Sequence, residues 1–303
     1  LDKMFFQCTF YSNFSYYFWI MTEIQISELS NFININLIDI FSKRKKENIL
    51  KKYLSLYLNI SNSDILLNKS IPWSDKDKAK LRDHLTQINK GEPIQYVIKK
   101  EFFYNYILKV TEDVLIPRPE TEELVFNIIN IEKINKKLKI LEIGTGSGCI
   151  AITLKKNLIT PSVTSLDISK KAIEIAKENA SLLKIDINFV CKDIFRFSTK
   201  EKFDVIVSNP PYIPLKDKKF VDSVVYKNEP HKALFVENDP LIFYKKILNF
   251  SSNYLNKNGR VYFEINDVYK DDMKKYLDLF YSNIKYEFVK DMQNKYRFLF
   301  LNF

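Results

Sequence analysis

Three of the five glycines in the chain fall within five residues, in Glu142-Ile143-Gly144-Thr145-Gly146-Ser147-Gly148. In so glycine-poor a sequence, that concentration marks a backbone that turns tightly or lies against a ligand. An apolar run, 138–143, precedes it and a helical pattern over 149–157 follows, so the loop joins a strand to a helix. The first amides of such a helix lack partners within the helix and can face a ligand. The alternation then continues through strand 163–167, helix 169–183, strand 187–191 and strand 203–208. Helix 240–254, strand 260–265, helix 268–280 and strands near 284–290 and 296–301 complete it. This order predicts an α/β fold with a doubly wound, largely parallel sheet.

The spacing of the glycines separates two ligand classes. Dinucleotide-binding loops read GxGxxG, with a third glycine three residues after the second. Cys149 stands at that place, and the pattern is GxGxG instead. That form is usual for S-adenosylmethionine sites, where the loop faces an adenosine and a methionine tail and cradles no pyrophosphate. The chain therefore reads as a class I S-adenosylmethionine-dependent methyltransferase with a Rossmann-like sheet. A plain βα turn is the bland alternative. Gly144, Thr145, Gly146, Ser147 and Gly148 are the first expected cofactor contacts. Asp167 ends the second strand about 20 residues on, where a carboxylate can accept from both ribose hydroxyls. Asp193 and Ile194 follow the third strand, placed to meet an adenine amine and to pack on its ring.

Ser208-Asn209-Pro210-Pro211-Tyr212 ends the fourth strand, on the edge where open α/β sheets bind ligands. The two prolines stop the ladder and stiffen the backbone. Asn209 offers both an amide acceptor and an amide donor. An amide nitrogen is a poor nucleophile, because its lone pair is delocalised. The Asn209 side-chain oxygen and the Pro210 carbonyl can accept its two N–H bonds and orient it toward a methyl donor. Tyr212 can pack on the planar group. Asn209, Pro210, Pro211 and Tyr212 are thus the expected catalytic and substrate-binding residues. The alternative is a rigid loop without a ligand.

The remainder is less specific. The formal net charge is +10, but lysines are spread along the whole chain, which favours solvated faces over a nucleic-acid groove. Cys8, Cys149 and Cys191 form no CxxC pair, and the two histidines, His84 and His231, lie far from them in sequence. No metal site is expected, and a reducing, cytoplasmic compartment is. No run is apolar enough to span a membrane. Residues 1–20 are aromatic-rich and lack a signal-peptide pattern, and Met21 looks like a start, so 1–20 are expected to be an extension with no role in the fold. Residues 21–91 read as a small helical domain, with Ser74 opening a helix over 75–90 and Gly91 closing it. Alternating apolar residues from Ile94 to Val110 predict a linking β-hairpin within 92–116. The catalytic domain is then 117–303, opening with a helix over 121–130 capped by Thr121 or Glu120.

From about residue 40 onward the sequence resembles the release factor glutamine N5-methyltransferases. Gly91-Glu92-Pro93-Ile94-Gln95-Tyr96 matches that family's GEPxQY segment. Leu115-Ile116-Pro117-Arg118-Pro119-Glu120-Thr121-Glu122 matches its LIPRPETE signature. Asn228-Glu229-Pro230 with Ala233-Leu234, and Asp291 with Arg297, fit later stretches. The resemblance implies methyl transfer from S-adenosylmethionine to the glutamine of the Gly-Gly-Gln loop of peptide chain release factors. It implies a protein substrate held partly by the helical domain, a monomer, and no need for a membrane or nucleic acid. It places Gly144 to Gly148, Asp167, Ile194 and Asn209 on the cofactor, Asn209 to Tyr212 on the glutamine, and Phe103, Arg118 and Thr121 around the site. Lys99, Asn105 and Asn294 stand where the family usually has glycine. Two rival substrates share the core motifs: a ribosomal-protein glutamine, and the adenine N6 of a nucleic acid. The second normally brings base-flipping or target-recognition elements that the sequence lacks.

Overall fold

The computed structural model describes residues 22–303. The expectation concerning residues 1–20 lies outside them. The N-terminal part packs its apolar stripes into one core. β1 (Thr22–Gln25) leads into α1 (Ile26–Asn36), whose Ile26, Leu29 and Ile33 are buried. α2 (Lys43–Lys52) runs on through a wide π-turn at 53–57 that buries Tyr53, Leu54 and Leu56. α3 (Asn62–Leu66) follows, opened by a Ser61–Asp64 capping box. β2 (Ser70–Trp73) then pairs antiparallel with β1. α4 (Asp75–Asn89) is opened by a Ser74–Asp77 capping box, and Gly91 turns the chain at φ 98°.

Two expectations are corrected in this region. The segment 22–90 is not wholly helical, because β1 and β2 form a two-stranded sheet. The alternating apolar residues at the start of the expected hairpin form instead a short helix, α5 (Ile94–Ile98), with Pro93 as its N-cap residue. Lys99 ends it in the left-handed region at φ 55°. Only then does the hairpin form, from β3 (Lys100–Phe103) and β4 (Tyr106–Lys109). Its tight turn places Tyr104, not Asn105, at positive φ, whereas Asn294 does take the positive φ that glycine would favour.

α6 (Pro119–Glu132) starts two residues earlier than expected. Its N-cap residue is Arg118, and no side chain caps it; Pro119 supplies the first-turn φ instead. Thr121 is therefore free for another partner. The α/β part follows the predicted order: β5 (Lys139–Ile143), α7 (Cys149–Asn157), β6 (Ser162–Asp167), α8 (Lys170–Leu182), β7 (Asn188–Cys191) and β8 (Phe203–Ser208). After β8 come β9 (Ile213–Pro214), α9 (Ser223–Asn228), α10 (His231–Leu234) and β10 (Phe235–Val236), with β10 parallel to β9. α11 (Ile242–Tyr254), β11 (Leu255–Glu264), α12 (Lys270–Phe280), β12 (Lys285–Lys290) and β13 (Tyr296–Asn302) complete the chain.

Seven strands make one sheet in the order β12-β13-β11-β8-β5-β6-β7. β11, β8, β5, β6 and β7 run parallel, and β13 is antiparallel to both its neighbours. The central strands β5 and β8 are mostly apolar on both faces because helices cover both sides. One face packs Ile140, Val205 and Val207 against Leu124, Val125 and Ile128 of α6 and against α7. The other packs Leu141, Ile143 and Ile206 against α11 and α12. The chain leaves β5 toward β6 and β7, then crosses back to β8 on the opposite side of β5. That reversal opens a crevice at the carboxyl ends of β5 and β8.

Candidate active site

The crevice is a cavity of about 630 Å³. Its size falls in the range of small-ligand sites. The register explains what meets there. Ile143 pairs with Ser208, so the glycine loop and the Asn209 segment leave the sheet side by side. Ser208 Oγ donates to the Ile143 carbonyl at 2.6 Å and ties the two strand ends together. A Cβ on Gly144 would stand 3.8 Å from the Asn209 carbonyl oxygen.

The loop needs its glycines for backbone angle and for space. Gly144, Gly146 and Gly148 have φ of 87°, 52° and 83°. A Cβ on Gly148 would also meet Ala176 and Ile152 at 3.1 Å. β6 holds the loop from the other side. Gly144 N–H donates to the Leu166 carbonyl at 2.8 Å, and Gly146 N–H donates to Asp167 Oδ2 at 3.0 Å. Asp167 Oδ1 accepts from Ser169 N–H at 2.8 Å. Burial pushes the Asp167 carboxyl up, and these backbone donors oppose the shift.

The cavity lining brings together most of the expected residues: Gly144, Thr145, Gly146, Ser147, Asp167, Asp193, Ile194, Asn209, Pro210, Pro211, Arg118 and Thr121. Gly148 lies just behind, as the N-cap residue of α7. Asp193 Oδ1 accepts from Phe195 N–H at 2.9 Å, which fixes its turn, while Ile194 is buried beside it. Tyr212 is not part of the lining. Its ring packs with the core around Tyr244 and Phe263, and burial pushes its hydroxyl up to about 12. Phe103 is elsewhere altogether: it is fully buried in the core with Leu108, Leu124 and Val125 and does not reach the cavity. An aromatic residue on the inward face of a hairpin has first claim on the core, and that outweighs its place in a motif.

Three carboxylates not expected as site residues stand at the cavity wall or hold the residues that line it. Glu142 lies on the cavity wall and is almost wholly buried. Its Oε2 accepts from Ser165, its Oε1 has no partner, and burial pushes the carboxyl up to about 8. Glu264, at the end of β11, accepts from Thr121 Oγ1 at 2.6 Å. Glu229 is buried against Arg118, which bridges the segment before α6 to the segment beyond Asn209-Pro210-Pro211-Tyr212. The available signal is a lone carboxylate inside an apolar run, as in Leu141-Glu142-Ile143 and Phe263-Glu264-Ile265. His231 also lines the cavity, on α10; its Nε2 lies 2.8 Å from the Tyr226 carbonyl, and its ring lies tilted against Tyr226 and edge-on to Phe235.

The donor set fits S-adenosylmethionine on structural grounds. Ser147 Oγ and Glu142 Oε1 are buried at the wall without partners, so a ligand bearing N–H or O–H donors would satisfy them. Ile143, Ile194 and Phe243 supply apolar surface for a planar ring, and Asp167 supplies a carboxylate for hydroxyls.

Comparison with known proteins agrees with this arrangement. Residues 128–228 match the Methyltransferase small domain model. The chain is 40% identical over 277 residues to the release factor glutamine methyltransferase of Flavobacterium psychrophilum, covering 88% of this chain and 95% of that one. It is 35% identical over 281 residues to the protein of the same name from Bacteroides thetaiotaomicron, covering 91% and 100%. Among solved structures it is similar to a release factor-specific protein-(glutamine-N5) methyltransferase from Alicyclobacillus acidocaldarius, 26% identical, covering 64% and 98%, with a TM-score of 0.41. A doubly wound sheet carrying the glycine loop and Asn209 at one crevice, with sequence identity of this extent, makes the chain a member of the release factor glutamine methyltransferase family.

Proposed function

We propose that this enzyme methylates the side-chain amide nitrogen, N5, of the glutamine in the Gly-Gly-Gln loop of peptide chain release factors, with S-adenosylmethionine as donor. The observation that carries the reading is the pairing of Ile143 with Ser208, which sets Asn209 beside the glycine loop at one cavity. S-adenosylmethionine, when bound, would supply an electrophilic methyl group and leave as the thioether once its C–S bond breaks. Gly144 to Gly148, Asp167, Asp193 and Ile194 would hold it, with Glu142 and Ser147 offering the unsatisfied acceptors described above. Asn209 and the Pro210 carbonyl accept the two N–H bonds of the substrate amide. Both acceptors sit on a stiff backbone, so the nitrogen is oriented without reorganisation at the moment of transfer. The amide proton passes to solvent once the new N–C bond has formed. Pro211 and Arg118 bound the same space, and Tyr212 braces the segment from behind. The N-terminal part of the chain, from residue 22 to 91, would offer a docking surface for the protein substrate. Among the described residues no helix is long and apolar enough to cross a membrane. The proposal is of a monomer acting in the cytoplasm, with no nucleic acid required.

The test is transfer of label from methyl-labelled S-adenosylmethionine to a purified release factor, followed by peptide mapping. Label is expected in the Gly-Gly-Gln peptide only. Asn209→Ala is expected to lower kcat by about 10²–10³-fold, the usual cost of a lost polar group at a reacting centre. Label elsewhere, or undiminished in the variant, would overturn the assignment.

A further inference from the structure

Behind Asn209 the polar groups form a chain with a single direction. Asn209 Nδ2 donates to Thr121 Oγ1 at 3.3 Å, and Thr121 Oγ1 donates to Glu264 Oε2 at 2.6 Å. Thr121 and Glu264 are 3% and 4% exposed, so water does not compete for these bonds. The strand register brings them together. Phe263 pairs with Ser208, so Glu264 and Asn209 each stand one residue beyond the same rung. A hydroxyl has one proton to give. Thr121 gives it to the carboxylate and can only accept from Asn209. The end of the Asn209 amide that faces Thr121 is thereby fixed as the NH2, and the oxygen is left for another donor.

We propose that Glu264 is a positioning residue: through the Thr121 hydroxyl it holds the Asn209 amide with its oxygen presented to the N–H of the substrate amide. This deepens the reading of Asn209 given above and rests on it. The order of donors depends on Glu264 being ionised. Once protonated, its carboxyl can donate to Thr121, which can then donate to the Asn209 oxygen and occupy the acceptor that the substrate needs. The groups facing Glu264 are Arg297 on β13, Arg118 and Glu120 at the start of α6, the hydroxyls of Tyr212 and Tyr244, and the Cys149 thiol. Tyr244 donates to the Glu264 backbone carbonyl at 3.0 Å. Arg297 and Arg118 favour the carboxylate and Glu120 opposes it; burial outweighs all three and pushes the carboxyl up to about 7. Presentation of the Asn209 oxygen is therefore strengthened as the pH rises through that value and weakened as it falls.

The experiment compares wild type, Thr121→Val, Thr121→Ser, Glu264→Gln and the Thr121→Val/Glu264→Gln double variant of the full chain, each with its melting curve. Methyl transfer to a release factor is measured across pH, together with the ¹⁵N and ¹H resonances of the Asn209 side-chain amide without substrate. Thr121→Val is expected to lose about tenfold in kcat, with KM for S-adenosylmethionine unchanged. Thr121→Ser should recover most of that loss. The double variant should be no worse than Thr121→Val, because Glu264 acts through the hydroxyl. The wild-type Asn209 amide signals should move with a midpoint near the value given for Glu264, and the movement should be flattened in Thr121→Val. A folded Thr121→Val with wild-type kcat, additive losses in the double variant, or Asn209 signals that ignore pH would each overturn the proposal. If wild type labels no release factor, the substrate assignment fails, and the Asn209 signals still decide the positioning role. If Thr121→Val does not fold, the wild-type titration and Thr121→Ser decide it.

Discussion

At the scale of the residue, the strained groups of this protein are carboxylates in dry surroundings. Glu142 lies buried at the cavity wall with one oxygen on Ser165 and the other without a partner, and burial pushes its carboxyl up to about 8 from an ordinary 4.5. Burial pushes Glu264 up to about 7. Both shifts have the same sign. Between the ordinary value and the raised one, the unfolded chain has released these protons and the folded chain still holds them. Stability is therefore fullest below about pH 4.5 as far as these groups are concerned, and falls as the pH rises through 7 and 8. For Glu142 the full span is on the order of a few kcal/mol. Glu142→Gln keeps an acceptor for Ser165 and cannot ionise. Its melting temperature should fall less than that of wild type between about pH 5.5 and 8.5, and thermal denaturation at several pH values measures the difference. Equal slopes for the two proteins would show that Glu142 is ionised in the fold across that range. Neither carboxylate is a motif residue in the usual sense. Each was nonetheless visible as a charge interrupting an apolar strand, since a buried charge without a task is costly.

At the scale of the element, the long elements and the short β7 followed from sequence, whereas α5, β1 and β2 did not. β8, with Phe203–Ser208 apolar but for Asp204 and the terminal Ser208, falls where its residues put it, and α7 begins at Cys149 as the glycine loop requires. Ile94–Ile98 shows the opposite. Its apolar residues alternate as in a strand, but five residues cannot separate the two periods. The deciding features were local: Pro93 opens a helix there and Lys99 closes it. β1 and β2 escaped for a different reason. Each has four residues, and they pair across the intervening α1, α2 and α3, so no local pattern announces them. Lys99 also explains itself at this scale. It ends α5 in the left-handed region, where a side chain costs about 1 kcal/mol and glycine costs none. Lys99→Gly should therefore raise stability by roughly 0.5 kcal/mol or more, after the greater freedom of glycine in the unfolded chain is subtracted. Urea denaturation would measure it. A loss of stability would mean that the Lys99 side chain makes a contact worth more than the strain.

At the scale of the whole molecule, the site was legible because it lies where the sheet changes direction. A loop after one strand and a tetrapeptide after another can be read separately, and the doubly wound order then forces them together. What a side chain does after leaving the backbone was less legible. Arg118 and Thr121 reach the cavity, whereas Phe103, assigned to it on the same kind of signal, turns into the core under α6. The two outcomes separate in one measurement. A ligand that binds only the folded chain stabilises it by about 2.7 kcal/mol at a hundred times its Kd, worth several degrees in melting temperature for a domain of this size. Wild type should show that rise with S-adenosylmethionine. Asp167→Asn keeps an acceptor for the loop amides but weakens the hold on ribose hydroxyls. At the same ligand concentration a tenfold loss of affinity leaves about half of the rise. Phe103→Ala should lower the melting temperature outright, by about 3–5 kcal/mol of lost packing, and yet keep the full rise on adding ligand. A Phe103→Ala protein that stays as stable as wild type but no longer responds would return Phe103 to the site. An Asp167→Asn protein that responds in full would remove Asp167 from it, and leave the carboxylate a structural tether for the Gly146 amide alone.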